Sequence, residues 1–183
     1  LAGILRDPRD WIASWLRHAP RRRRGALSER LPPGPPHPAR MGDPSAAALW
    51  PRLDQVGRLA WEWELIRRTL SDAAADNPNV RIFRFEDVFG PDRGAMQEVA
   101  RFVSDFPFGP AHRIGNLDAI AGDVRNASSG RAPGPGPVWQ GWSDAQVAAV
   151  AHFCGPGMGA LGYGGEPDWQ ERVARSGPAF QLS

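Results

Sequence analysis

Leu1-Ala-Gly-Ile-Leu-Arg-Asp-Pro-Arg-Asp-Trp-Ile-Ala-Ser-Trp-Leu-Arg-His-Ala19 joins an apolar run to a capped helix through an arginine. Leu1 to Leu5 reads as a short buried strand. Asp7 stands as a helix N-cap, Pro8 as the first helical residue, and Asp10 as the acidic partner of a capping box. Beyond them Trp11, Ile12, Trp15, Leu16 and Ala19 recur at helical spacing and form one apolar stripe. Ser14 lies roughly 130° from the middle of that stripe, at about 100° per residue. It therefore points away from the core-facing side. A strand that hands the chain to a helix through Arg6 suits the holding of an anion.

Arg6 and Ser14, eight residues apart with Asp7, Pro8 and Asp10 between them, make this stretch resemble one segment of a known enzyme family. It is the 3′-phosphate-binding segment of the sulfotransferases that use 3′-phosphoadenosine-5′-phosphosulfate (PAPS). That pattern is a strand, Arg-Asp-Pro-x-Asp, and a helix with a serine eight residues after the arginine. The chemistry is intelligible by itself, because a guanidinium offers a planar fork of donors to a phosphate and a hydroxyl adds one more. The alternative is that Arg6 pairs with a surface carboxylate and Ser14 is a solvated helix residue.

At 183 residues the chain suits one domain with enough length to bury a core. Hydrophobic residues are 42% and charged residues 23%, an ordinary globular composition. All 22 basic residues are arginine, so no lysine ammonium serves a phosphate loop in this chain. The net charge of +2 permits anionic partners without demanding them. Cys154 is the only cysteine, which excludes an internal disulfide and a thiolate metal cluster and favours a reducing, cytoplasmic setting. His18, His37, His112 and His152 lack ligand-like spacing, so no structural metal is expected. There is no apolar run long enough for a membrane span and no signal-peptide pattern. The chain opens directly in a strand, at Leu1, and reads as a fragment whose N-terminal part is missing.

Arg21 to Arg24 and Leu31-Pro-Pro-Gly-Pro-Pro-His-Pro38 predict a long Pro/Arg-rich loop over 20–50. The arginine run is read as a solvated surface feature, with contact to an anionic acceptor or nucleotide as the alternative. It has no aromatic interleaving, and nucleic-acid binding is not expected. From Pro51 to Ala75, Leu53, Val56, Ala60, Trp63, Ile66 and Leu70 follow helical spacing, and Trp61 widens the face, predicting one long amphipathic helix. Val80 to Phe85 predicts a second strand, apolar on both faces as in a central parallel strand. An acidic turn at Glu86-Asp87 follows, then a helix starting near Asp92 with Met96, Val99, Ala100 and Val103 inward. Strand, turn and helix make an α/β unit.

Phe85-Glu86-Asp87-Val88 and Phe102-Val103-Ser104 extend the resemblance, since sulfotransferases carry Tyr/Phe-Glu-Asp-Leu and Phe-Leu-Gly at comparable places. The resemblance implies that Phe85 lies near the adenine; a buried strand residue is the alternative. Residues 105–142 are rich in Gly, Pro and Asn and read as a loop. Ser143-Asp-Ala-Gln146 is a capping box that opens a helix over 143–154 with Val147, Val150, Ala151 and Cys154 inward, stopped by Gly155. The stretch after it, to 183, reads as a tail. The family closes similarly, and the resemblance implies that Ser129-Gly130-Arg131 covers the 3′-phosphate, with Trp139, Trp142 and Leu161-Gly162-Tyr163 following. Ser129 stands where the family often has Lys or Arg, which lowers the charge of that loop.

The fold implied is α/β, part of a P-loop-type domain with a parallel central sheet flanked by helices. The function implied is sulfuryl transfer from PAPS to a hydroxyl or amine of a small-molecule or carbohydrate acceptor. Arg6, Ser14, Phe85, Gly130 and Arg131 would bind the nucleotide, with no metal. The 5′-phosphosulfate loop and the acceptor-activating base would belong upstream of Leu1, so the chain by itself is expected to be catalytically inactive, and no catalytic residue is named; His18 and His152 read as packing or surface histidines. A P-loop-type kinase, or a non-catalytic nucleotide-binding relative of the same fold, is the alternative.

Overall fold

The short strand and the capped helix predicted at the start are both present in a computed structural model that describes residues 1–22, 36–91, 94–104 and 136–177. Strand β1 is Ala2–Leu5 and helix α1 is Pro8–Arg22. The carboxylate of Asp7 accepts the Arg9 backbone N–H at 2.8 Å, the bond expected of an N-cap. Helix α1 runs three residues past the predicted end at Ala19.

The described chain is mixed α/β, mostly helical, and divides into two units. The first comprises Leu1–Arg6 and Arg68–Gly136. In it β1 pairs in parallel with β2 (Arg81–Arg84), in register from Ala2 opposite Arg81 to Leu5 opposite Arg84. Among the described residues the sheet has these two strands. Gly3 of β1 packs directly on the Leu70 side chain. A short helix α4 (Phe85–Val88) follows β2, and α5 (Gly94–Ser104) comes next. Phe83, Val88 and Met96 form the buried core of this unit, with Ala2, Ala95, Val99 and Phe102 against it.

Two expectations fail here. Phe85 does not end the strand but opens α4, where Glu86 and Asp87 sit in the first turn, the favourable end of the helix dipole for acids. Strand β2 carries an apolar side chain on each face, buried Phe83 on one and half-buried Ile82 on the other, alongside exposed Arg81 and half-buried Arg84. On α5, Val103 is exposed and Phe102 packs inward instead.

The second unit comprises Asp7–Arg67 and Pro137–Ser183. It holds α1, α2 (Pro44–Leu49), most of α3 (Gln55–Asp76), α6 (Asp144–Ala160) and α7 (Pro167–Ser176), with 3-10 turns at Trp50–Arg52 and Val138–Gly141. Its core gathers Ile12, Val56, Ala60, Trp63, Trp139, Trp142, Val147, Val150, Cys154 and Met158. Four consecutive residues of α6, Val147 to Val150, are buried, so this helix is covered on several sides.

The predicted 20–50 loop therefore contains a helix, α2, capped by Asp43, whose side chain accepts the Ala46 N–H at 2.9 Å and the Trp61 indole N–H at 3.0 Å. Helix α3 begins at Gln55 rather than Pro51, because Asp54 accepts the Gly57 N–H at 2.9 Å and Pro51 is taken up in the preceding turn. Ile66, expected inward, is exposed. The capping box at Ser143 and Gln146 forms as predicted. Gly155 does not stop α6, which continues through Pro156 to Ala160. Burial of Gly157 and Met158 outweighs the weak helix propensity of Gly-Pro-Gly. The helix ends instead in a Schellman pattern, Tyr163 N–H to Met158 O at 2.8 Å and Gly162 N–H to Gly159 O at 3.1 Å. The expected tail contains α7, with Pro167 in its first turn and Trp169 buried.

Candidate functional site

Leu5 and Arg84 are register partners, so the next residues, Arg6 and Phe85, leave the two parallel strands at the same edge. The Arg6 guanidinium carbon lies 4.8 Å from the centre of the Phe85 ring, a cation–π distance. Phe89 follows at 4.6 Å from Phe85, tilted by 38°, and its backbone N–H bonds to the Phe85 carbonyl at 2.9 Å. Arg6 and Phe85 are half-buried, whereas Phe89 is 51% exposed. Arg84 and Asp87 approach to 3.8 Å beside them. A cation and two aromatic rings thus stand at the carboxyl ends of parallel strands, where ligands of α/β sheets generally bind. Such a group can hold an anion and a planar ring.

Arg6 and Phe85, named from separate motifs, are brought together here. Ser14 belongs to the other unit, where it is a half-buried residue of α1. Gly130 and Arg131 lie outside the described residues, as does Ser129. His152 is exposed, its ring edge-on to Phe153 at 4.8 Å. Among the described residues, no group of three or more His, Cys, Asp or Glu is placed to hold a metal ion, and no helix is long and apolar enough to cross a membrane.

The second unit contains an arrangement that motif reading missed. Arg9 is only 4% exposed. Its Nε donates to Asp7 at 3.0 Å, while Nη1 and Nη2 donate to the two Glu166 oxygens at 2.9 and 2.8 Å. Its guanidinium carbon also lies 5.8 Å from the Trp139 ring and 5.0 Å from Trp169, which meet edge to face at 5.3 Å. Burial works against the charge, yet the hydrogen bonds and negative charges of Asp7 and Glu166 outweigh it, and Arg9 holds its proton more tightly than an ordinary arginine. The Arg9 hydrogen bond in turn holds the Glu166 carboxyl below the usual carboxylate range. The legible signal was position: Arg9 shares a helical face with Ile12, Ala13 and Leu16, and a charge on an apolar face calls for a partner.

Comparison of the chain with protein-family models, curated proteins and solved structures finds no match.

Proposed function

We propose that this chain carries the 3′-phosphate-binding part of a PAPS-dependent sulfotransferase with a P-loop-type α/β fold, acting in the cytoplasm on a small-molecule or carbohydrate acceptor. The observation that carries the reading is the Arg6 guanidinium 4.8 Å from the Phe85 ring at the carboxyl ends of paired parallel strands. These are two residues that the family resemblance names independently. Their chemistry fits the nucleotide end of the donor: Arg6 supplies fixed charge for a phosphate, and the aromatic side chains supply apolar surface for a base. In such an enzyme PAPS supplies the sulfuryl group, and Arg6 would hold the nucleotide in place while the group is passed on.

Calorimetry with adenosine 3′,5′-bisphosphate tests the reading. Binding is expected, and Arg6→Ala should weaken it by about 10- to 150-fold, the equivalent of ~1.5–3 kcal/mol for a lost charge-assisted hydrogen bond. Arg101→Ala, on an exposed arginine of α5, should change it little, and that change should fade with added salt. No binding of the bisphosphate beside tight binding of ATP with Mg²⁺ would overturn the reading in favour of a kinase.

A further inference from the structure

We infer that Asp7, Glu166, Trp139 and Trp169 form a receptor site for a guanidinium cation, which the chain fills with its own Arg9, so that truncating Arg9 opens the site to a free alkylguanidinium. These residues all belong to the second unit, and the site is independent of what the strand end binds. Glu166 meets one edge of the guanidinium with both oxygens, at 2.9 Å from Nη1 and 2.8 Å from Nη2. Asp7 takes the next edge, accepting from Nε at 3.0 Å and also from Nη2. The Trp139 and Trp169 rings lie 5.8 and 5.0 Å from the guanidinium carbon and close the site with apolar surface. Two carboxylates at the edges and two indoles around them match a planar, weakly hydrated cation with a fork of donors. A compact, strongly hydrated ammonium has neither the fork nor the flat face.

The walls of the site are fixed by bonds that the Arg9 side chain does not make. Asp7 accepts the Arg9 backbone N–H at 2.8 Å, a bond that survives truncation of the side chain. Glu166 is the N-cap of α7, and its carbonyl accepts the Gln170 N–H at 3.1 Å. Trp139 and Trp169 are buried members of the core and meet edge to face at 5.3 Å. Without the cation, two carboxylates would face one space, and the Asp7 side chain is only 13% exposed, so an uncompensated charge there is costly and a replacement cation is drawn in. The Glu166 side chain, at 53% exposure, opens one wall to water and gives a small cation its way in.

Urea unfolding of the full chain carrying Arg9→Ala tests the site with N-ethylguanidinium, the group of atoms that this substitution removes. The probe is used at ~20 mM, far below the molar range in which guanidinium salts denature. Ethylammonium at the same concentration is the control, equal in charge but without the fork. N-ethylguanidinium should raise the folding constant of Arg9→Ala about fivefold, as a ligand at about four times its dissociation constant does, and leave the parent chain unchanged because its site is filled. Ethylammonium should have little effect on either chain. Adding Glu166→Gln to Arg9→Ala should weaken the rescue, since one carboxylate of the site is then gone. If Arg9→Ala is unfolded in buffer, N-ethylguanidinium should restore its helical circular dichroism and the protection of Cys154 from thiol reagents, and ethylammonium should restore neither. No response of Arg9→Ala to N-ethylguanidinium, an equal response to both cations, or an equal response in the parent chain would overturn the inference.

Discussion

Gly157 sits where α6 meets a charged pair of α3, and a single methyl group decides whether that pair survives. A Cβ there would lie 2.4 Å from Arg67 Nε and 2.6 Å from Glu64 Oε2, two groups bonded to each other at 2.7 Å. Gly157→Ala gains helix propensity of up to ~1 kcal/mol but must displace the pair, at an overpacking cost of about 1–3 kcal/mol. The net expectation is a loss of about 0.5–2 kcal/mol in urea unfolding. Gly159→Ala is the contrast, since nothing lies within 4 Å of a Cβ there. It should be neutral or stabilising by up to ~1 kcal/mol. The same position shows a limit of local reading. Gly155-Pro156-Gly157 looks like a helix stop because nothing in the neighbouring sequence reveals that Gly157 is buried against Arg67 and Glu64 of α3.

Helices α1 and α7 begin beside the same buried guanidinium, and that shared contact gives the second unit an acid sensitivity. Glu166 titrates below its usual value of 4.5 because Arg9 donates to it. A depressed carboxyl contributes stability that is present above the unfolded value and lost as pH falls through the folded one. The Glu166 side chain is 53% exposed, so solvent screening keeps this contribution within ~1 kcal/mol. Glu166→Gln should therefore be less stable than the parent at pH 7, and the difference should shrink as pH falls below the usual carboxylate range and the depressed carboxyl is protonated, as followed by circular dichroism at graded urea. A difference that persists unchanged at low pH would show that the carboxylate charge is not what holds the helices. Arg9→Ala should cost more, ~2–4 kcal/mol, because it leaves Asp7 largely buried without its cation and opens space beside two tryptophans. At this scale the N-cap Asp7 was legible, but its second role, as a partner of Arg9, was not.

For the molecule as a whole, Cys154 reports on the integrity of the larger core. It is completely buried, and its thiol donates to the Ala60 carbonyl at 3.3 Å. Burial, with the nearby charges of Glu64 and Asp7, pushes the thiol well above its ordinary value. Native protein should thus resist an aromatic disulfide reagent at pH 8, and labelling should appear only with unfolding of the second unit. Fast labelling of the native chain would contradict the packing described. The sequence by itself determined features made by residues a few positions apart: the caps at Asp7 and Ser143, the helical stripes, the short strands, and the candidate residues Arg6 and Phe85 that flank them. Side-chain-to-backbone bonds and periodic burial arise within one element, so they are written locally. Only the tertiary structure decided that Arg6 meets Phe85, that Phe89 and not Phe85 is the exposed ring, that α6 runs on past Gly155, and that Arg9 is buried against Glu166, 157 residues away in sequence. Each of these depends on which distant surface covers a residue, because the free energy of a charge, a ring or a glycine is set by its partner and its exclusion from water.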